Sequence, residues 1–76
     1  MKSEWLARIV AENVRRLRKA NAWSQEEFGA KTGLHRTYIG SIERAETNLT
    51  LSTLQKIAAA LHCTPQELLE KDGGPK

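Results

Sequence analysis

The chain has 76 residues, 39% hydrophobic, with 12 Lys and Arg against 9 Asp and Glu, a formal charge of +3. That length is about half of the ~150 residues typical of a domain, which excludes a second folding unit. A core this small gains only ~3–5 kcal/mol, and one cysteine, Cys63, allows neither an internal disulfide nor a Cys/His zinc cluster, so self-association is the expected support.

Leu6, Val10, Val14 and Leu17 recur at the period of one helical face and Ser3 is placed as a cap, predicting a first helix over Glu4 to Ala20. Ser24-Gln25-Glu26-Glu27 is a capping box with Trp23 and Phe28 spaced as a hydrophobic staple, so a second helix starts at Gln25. Thr32-Gly33 stops it, because glycine accepts a left-handed backbone, and Leu34 follows as an apolar plug. A third helix is expected from His35 or Arg36. Leu34 and Ile39 repeat the staple spacing there, although histidine is a poorer cap than serine or aspartate.

Ser52-Thr53-Leu54-Gln55 reads as another capping box, and Leu54, Ile57, Ala58 and Leu61 make the fourth helix clearly amphipathic. Thr64-Pro65-Gln66-Glu67 combines a cap, a first-turn proline and a reciprocal glutamate, predicting a short fifth helix from Pro65 to about Lys71. No window alternates apolar and polar residues at strand spacing. The expected fold is all-α, a compact five-helix bundle forming a single domain over 1–72, with 73–76 as a flexible tail. The longest apolar run, Ile57 to Leu61, is far below the ~18–20 residues that cross a bilayer. Met1 opens no signal-peptide pattern, so the expected location is cytoplasmic and away from membranes.

Two short helices joined by a tight Thr32-Gly33-Leu34 turn frame a helix-turn-helix, whose second helix enters the major groove of DNA. On the third helix, with Arg36 at zero, Gly40, Arg44, Thr37 and Ser41 lie at ~40°, ~80°, ~100° and ~140°, opposite Ile42 and Ile39 at ~240° and ~300°. One side is polar or basic and the other is core. Arg36 is placed to pair bidentately with guanine, and Thr37 and Ser41 can donate, accept or touch a thymine methyl. Tyr38, at ~200°, lies between faces, with scaffold packing and DNA contact equally open. Gln25, at the start of the second helix, is placed to meet a phosphate beside free backbone N–H groups.

The Arg15, Arg16, Arg18 and Lys19 cluster reads as a solvated face, with one exception. Arg18 flanks the apolar stripe of the first helix and Glu43 borders Ile39 on the third. Exposed Glu26 and Glu27 could touch RNA polymerase, and capping explains them equally well. Two histidines, one cysteine and no convergent carboxylate pair offer no catalytic set, so an enzyme is not expected. No segment remains to build an effector cavity of several hundred cubic ångströms. No cofactor, metal or small-molecule effector is expected.

Ser24-Gln25-Glu26-Glu27-Phe28, Thr32-Gly33-Leu34, Tyr38-Ile39, Ile42-Glu43-Arg44 and Leu54-x-x-Ile57-Ala58-x-Ala60-Leu61 together resemble the Cro and phage-repressor-like helix-turn-helix transcription regulators, over residues 10 to 70. Arg36-Thr37-Tyr38-Ile39, Ile42-Glu43-Arg44 and Asn48-Leu49-Thr50 resemble, within that family, the controller proteins of restriction-modification operons. The resemblance implies base contacts from Arg36, Thr37 and Ser41, backbone contacts from Arg44, Thr47 and Asn48, and a structural salt bridge between Arg18 and Glu43. Ala22 and Ala45 stand where the family commonly has glycine, so the ends of the first and third helices are expected to close differently.

A sequence-specific regulator acting on an operator is the favoured reading, with an antitoxin-like protein-interaction module as the alternative. A short recognition helix reads few base pairs, so a homodimer on a near-palindrome of double-stranded DNA is expected. Its interface is placed at the fifth helix and the turn before it. Leu68 faces the core there, leaving Leu69, His62 and Gln66 for the other subunit.

Overall fold

A computed structural model describes residues 4–71. The expected Ser3 cap and the tail at 73–76 lie outside them. The chain folds into α1 (Glu4–Ala20), α2 (Gln25–Thr32), α3 (Arg36–Glu43), α4 (Leu51–Ala60) and α5 (Pro65–Leu69), with no strand among the described residues. Each helix contributes to one core: Val10 and Val14 from α1, Phe28 from α2, Ile39 and Ile42 from α3, Leu54 and Ile57 from α4, and Leu68 from α5. α1 lies against α3 and α5, and α2 lies against α3 and α4.

One four-residue connector recurs three times. Asn21-Ala22-Trp23-Ser24, Thr32-Gly33-Leu34-His35 and Leu61-His62-Cys63-Thr64 each run from the last residue or closing cap of one helix to the N-cap of the next. The second residue is left-handed in each case, at φ 60° in Ala22, 77° in Gly33 and 58° in His62. The third is apolar and has two duties. Its backbone N–H closes the preceding helix, from Trp23 to the Arg18 carbonyl at 3.2 Å, from Leu34 to Gly29 at 3.0 Å, and from Cys63 to Ala58 at 3.0 Å. Its side chain packs against the core, five residues ahead of a buried partner: Trp23 with Phe28, Leu34 with Ile39, Cys63 with Leu68. The fourth residue caps the next helix, Ser24 and Thr64 through complete capping boxes and His35 through Nδ1, which accepts from the Thr37 N–H at 3.0 Å.

Three expectations change. α4 starts at Leu51, not at Ser52-Thr53: Thr50 is the cap, its Oγ1 accepting from the Thr53 N–H at 3.0 Å, and Leu49 with Leu54 forms the staple. α5 ends at Leu69, short of Lys71. The ends of α1 and α3 do not close differently for lack of glycine: Ala22 and Ala45 adopt the left-handed backbone at φ 60° and 58° that glycine would supply.

Asn13, on the buried side of α1, ties down α5. Its Nδ2 donates to the Leu68 and Glu70 carbonyls, both at 2.9 Å, and so supplies donors to a helix end that has lost its own. With Val14 at zero on the α1 wheel, Asn13 lies at ~260°, next to Leu17 at ~300°, a placement beside the apolar stripe that the sequence reading passed over.

Candidate nucleic-acid interface

The turn between α2 and α3 is set by a close backbone approach. A Cβ at Gly29 would lie 2.5 Å from the Leu34 carbonyl oxygen, so only glycine lets the turn fold this tightly onto α2. Buried Thr32 braces it: Oγ1 donates to the Gly29 carbonyl at 3.1 Å and accepts from the Leu34 N–H at 3.2 Å. With Ile39 and Ile42 buried, α3 is rotationally fixed and its other side faces solvent.

That outer side carries Arg36 and Thr37, both exposed, and half-buried Ser41, whose hydroxyl donates to the Thr37 carbonyl at 3.3 Å. Tyr38 is half-buried and packed against the core, so its ring is partly committed to the scaffold. Arg36 stands 3.9 Å from Glu26, and Arg44 pairs with Glu46 at 3.0 Å; both pairs are solvent-exposed and therefore weak. Glu27 is occupied by the cap of α2, its carboxylate accepting from the Ser24 N–H at 2.8 Å.

Behind α3, Arg18 donates to both carboxylate oxygens of Glu43, from Nε at 2.6 Å and Nη2 at 3.0 Å, and from Nη1 to the Trp23 carbonyl at 2.8 Å. Gln25 joins the same carboxylate through Nε2 at 3.1 Å. The residue placed by sequence as a phosphate contact is thus positioned by the ion pair. Gly40 leaves bare backbone beside it, where a Cβ would come within 3.0 Å of Arg44 Nη1 and 3.5 Å of Gln25 Oε1. Thr47 and Asn48, on the α3–α4 link, are separate from this cluster.

They line instead a groove of about 340 Å³ between α1, the link and α4, together with Leu6, Val10, Leu49, Leu51 and Leu69. The expectation that no segment remained for a cavity of this size is therefore corrected. Leu51 is 81% exposed and Leu69 36%. His62 and Gln66 are exposed but do not line the groove. Sequence reading missed Leu51 because it assigned the cap of α4 to Ser52, which left Leu51 in a loop.

Burial, with Glu67 nearby, pushes the Cys63 thiol up, away from its nucleophilic form. Among the described residues no three His, Cys, Asp or Glu side chains are grouped to hold a metal, and no helix is long and apolar enough to cross a membrane.

Comparison with known proteins gives a consistent picture. The family model described as Helix-turn-helix matches residues 14–68. The control protein C.SmaI of Serratia marcescens is 54% identical over 65 residues, covering 86% of this chain and 77% of that one. Among solved structures, a hypothetical transcription factor, NHTF, from Neisseria aligns with a TM-score of 0.85 at 38% identity, covering 95% of this chain and 84% of that one. The restriction-modification controller protein C.AhdI from Aeromonas hydrophila aligns with a TM-score of 0.78 at 37% identity, covering 82% and 94%.

Proposed function

Because the chain belongs to the helix-turn-helix family of DNA-binding transcription regulators, and is homologous to restriction-modification control proteins, we propose that it is itself such a controller, acting in the cytoplasm as a homodimer on a near-palindromic operator. The carrying observation is α3: its apolar side is locked into the core while Arg36 and Thr37 stand exposed at its first turn. In this reading α3 lies in the major groove, Arg36, Thr37 and Ser41 read base edges, and Tyr38 borders them. Gln25, Arg44, Thr47 and Asn48 hold the backbone, which sets register without reading sequence. No cofactor takes part.

The second subunit meets His62, Gln66 and Leu69. The apolar groove beside Leu69 extends that surface to Leu51, a side chain too exposed to contribute to the monomer core. A dimer built there keeps α3 free and presents two copies of it to successive major grooves, ~34 Å apart.

The test is a binding titration against an operator, selected from random-sequence duplexes, and its single-base variants. Arg36→Ala lowers specific affinity by ~1–3 kcal/mol and relaxes preference at one base pair per half-site. Gln25→Ala weakens binding evenly across the panel. Unchanged sequence preference in the Arg36 variant removes it from base readout, and failure to select any sequence refutes the operator reading.

A further inference from the structure

A recess of about 210 Å³ opens where α1, α2 and α3 meet, lined by Arg15, Arg18, Gln25, Glu43 and Arg44. Three arginines and a single acidic residue line it. That carboxylate is already satisfied, accepting twice from Arg18 and once from Gln25. Arg18 is committed in turn to Glu43 and to the Trp23 carbonyl. What remains for a ligand is the exposed guanidinium of Arg15, the terminal nitrogens of Arg44 and the second amide hydrogen of Gln25. Arg44 holds Glu46 through Nε, with both side chains more than half exposed, so an incoming anion meets a weak, exchangeable partner.

We propose that this recess seats one phosphodiester of a DNA strand, and that Arg15 of α1 is a contact to it beside Gln25 and Arg44. The inference rests on the DNA-binding reading above and adds to it a residue from outside the helix-turn-helix. Sequence placed Arg15 on a solvated face, because helical spacing does not show that α1 brings it to the rim shared with α2 and α3. The chemistry fits a phosphodiester: two unesterified oxygens carrying one negative charge meet donors that converge from three helices with positive charge in surplus. The contact carries no sequence information, since every nucleotide presents the same group.

Phosphate contacts supply non-specific affinity, so the test needs no operator. Binding of the full chain to a mixed-sequence DNA duplex is followed by fluorescence anisotropy over a range of KCl concentrations, for the parent, Arg15→Gln and Arg16→Gln. The second variant removes the same charge from the adjacent position, which does not line the recess. Arg15→Gln is expected to reduce the slope of log affinity against log salt by ~1 per bound subunit, and Arg16→Gln to leave it near the parent value. Equal slopes for the two variants overturn the Arg15 contact and leave DNA binding in place. A parent that binds the duplex with no salt dependence overturns the seat alone, and one that does not bind it even at the lowest salt overturns the DNA reading and the seat together.

Discussion

Arg18 on α1 and Glu43 on α3 form a two-pronged ion pair, at 2.6 Å and 3.0 Å, with side chains only 10% and 3% exposed. Desolvating two charges costs several kcal/mol each, and the pair persists because the surrounding polar groups complete it. The Trp23 carbonyl takes a third donor of Arg18, and the Gln25 amide supplies a further donor to Glu43. One pair thus fixes α1 to α3, the α1–α2 connector to α1, and the start of α2 to the end of α3.

Losing one member leaves the other buried and uncompensated. Arg18→Met or Glu43→Leu alone should cost ~3–5 kcal/mol, as much as a core of this size supplies, and leave the chain largely unfolded by circular dichroism. The double variant should refold and recover most of the loss. The circular dichroism spectra of the two singles and the double read this, and a double variant at least as unfolded as either single would mean that the two residues act independently.

The left-handed alanines are stored strain. An L-residue there costs ~1–2 kcal/mol, and glycine relieves it at ~0.4–1 kcal/mol of added unfolded-state entropy. Ala22→Gly and Ala45→Gly should each therefore raise stability by ~0.5–1 kcal/mol. Gly33→Ala should lower it by ~1 kcal/mol through the backbone alone, since a Cβ there meets nothing within 4 Å. Thermal unfolding of the three variants reads the signs, and destabilisation by both glycines would refute the account.

Self-association is expected to depend on the rim of the apolar groove. Leu69→Asp and Leu51→Asp each place a charge near its own copy across a two-fold interface. Both should shift the chain to monomer in sedimentation velocity while retaining the helical spectrum of the parent. Variants that dimerise like the parent would place the interface elsewhere.

Much of this was legible because the signals are short. Ser24 with Glu27, and Thr64 with Glu67, announce their helices within four residues, and both boxes form as read. At α4 two overlapping signals competed. Ser52 with Gln55 resembled a box, while Thr50 has no acidic partner and works through Thr53; only the Leu49–Leu54 spacing distinguishes them. The left-handed backbone at Ala22 and Ala45 was legible only through the glycine that the family commonly has there, because alanine itself carries no sign of it, and the turn at His62 went unread. Gathering Arg15 with Gln25 and Arg44 depends on how three helices pack, which no local pattern encodes.

The recurring connector dictates where this chain can change length. An added or deleted residue between Trp23 and Phe28, Leu34 and Ile39, Leu49 and Leu54, or Cys63 and Leu68 would turn the buried partner by ~100° and separate cap from core. Among the connectors of the described residues, slack lies between the N–H of Glu46, which closes α3 at 2.9 Å on Ser41, and Leu49, which opens the next staple. Thr47 and Asn48 occupy that interval. Insertions there can adjust how far this loop reaches without disturbing the bundle, so a stretch free to drift in length is also one proposed to meet the DNA backbone.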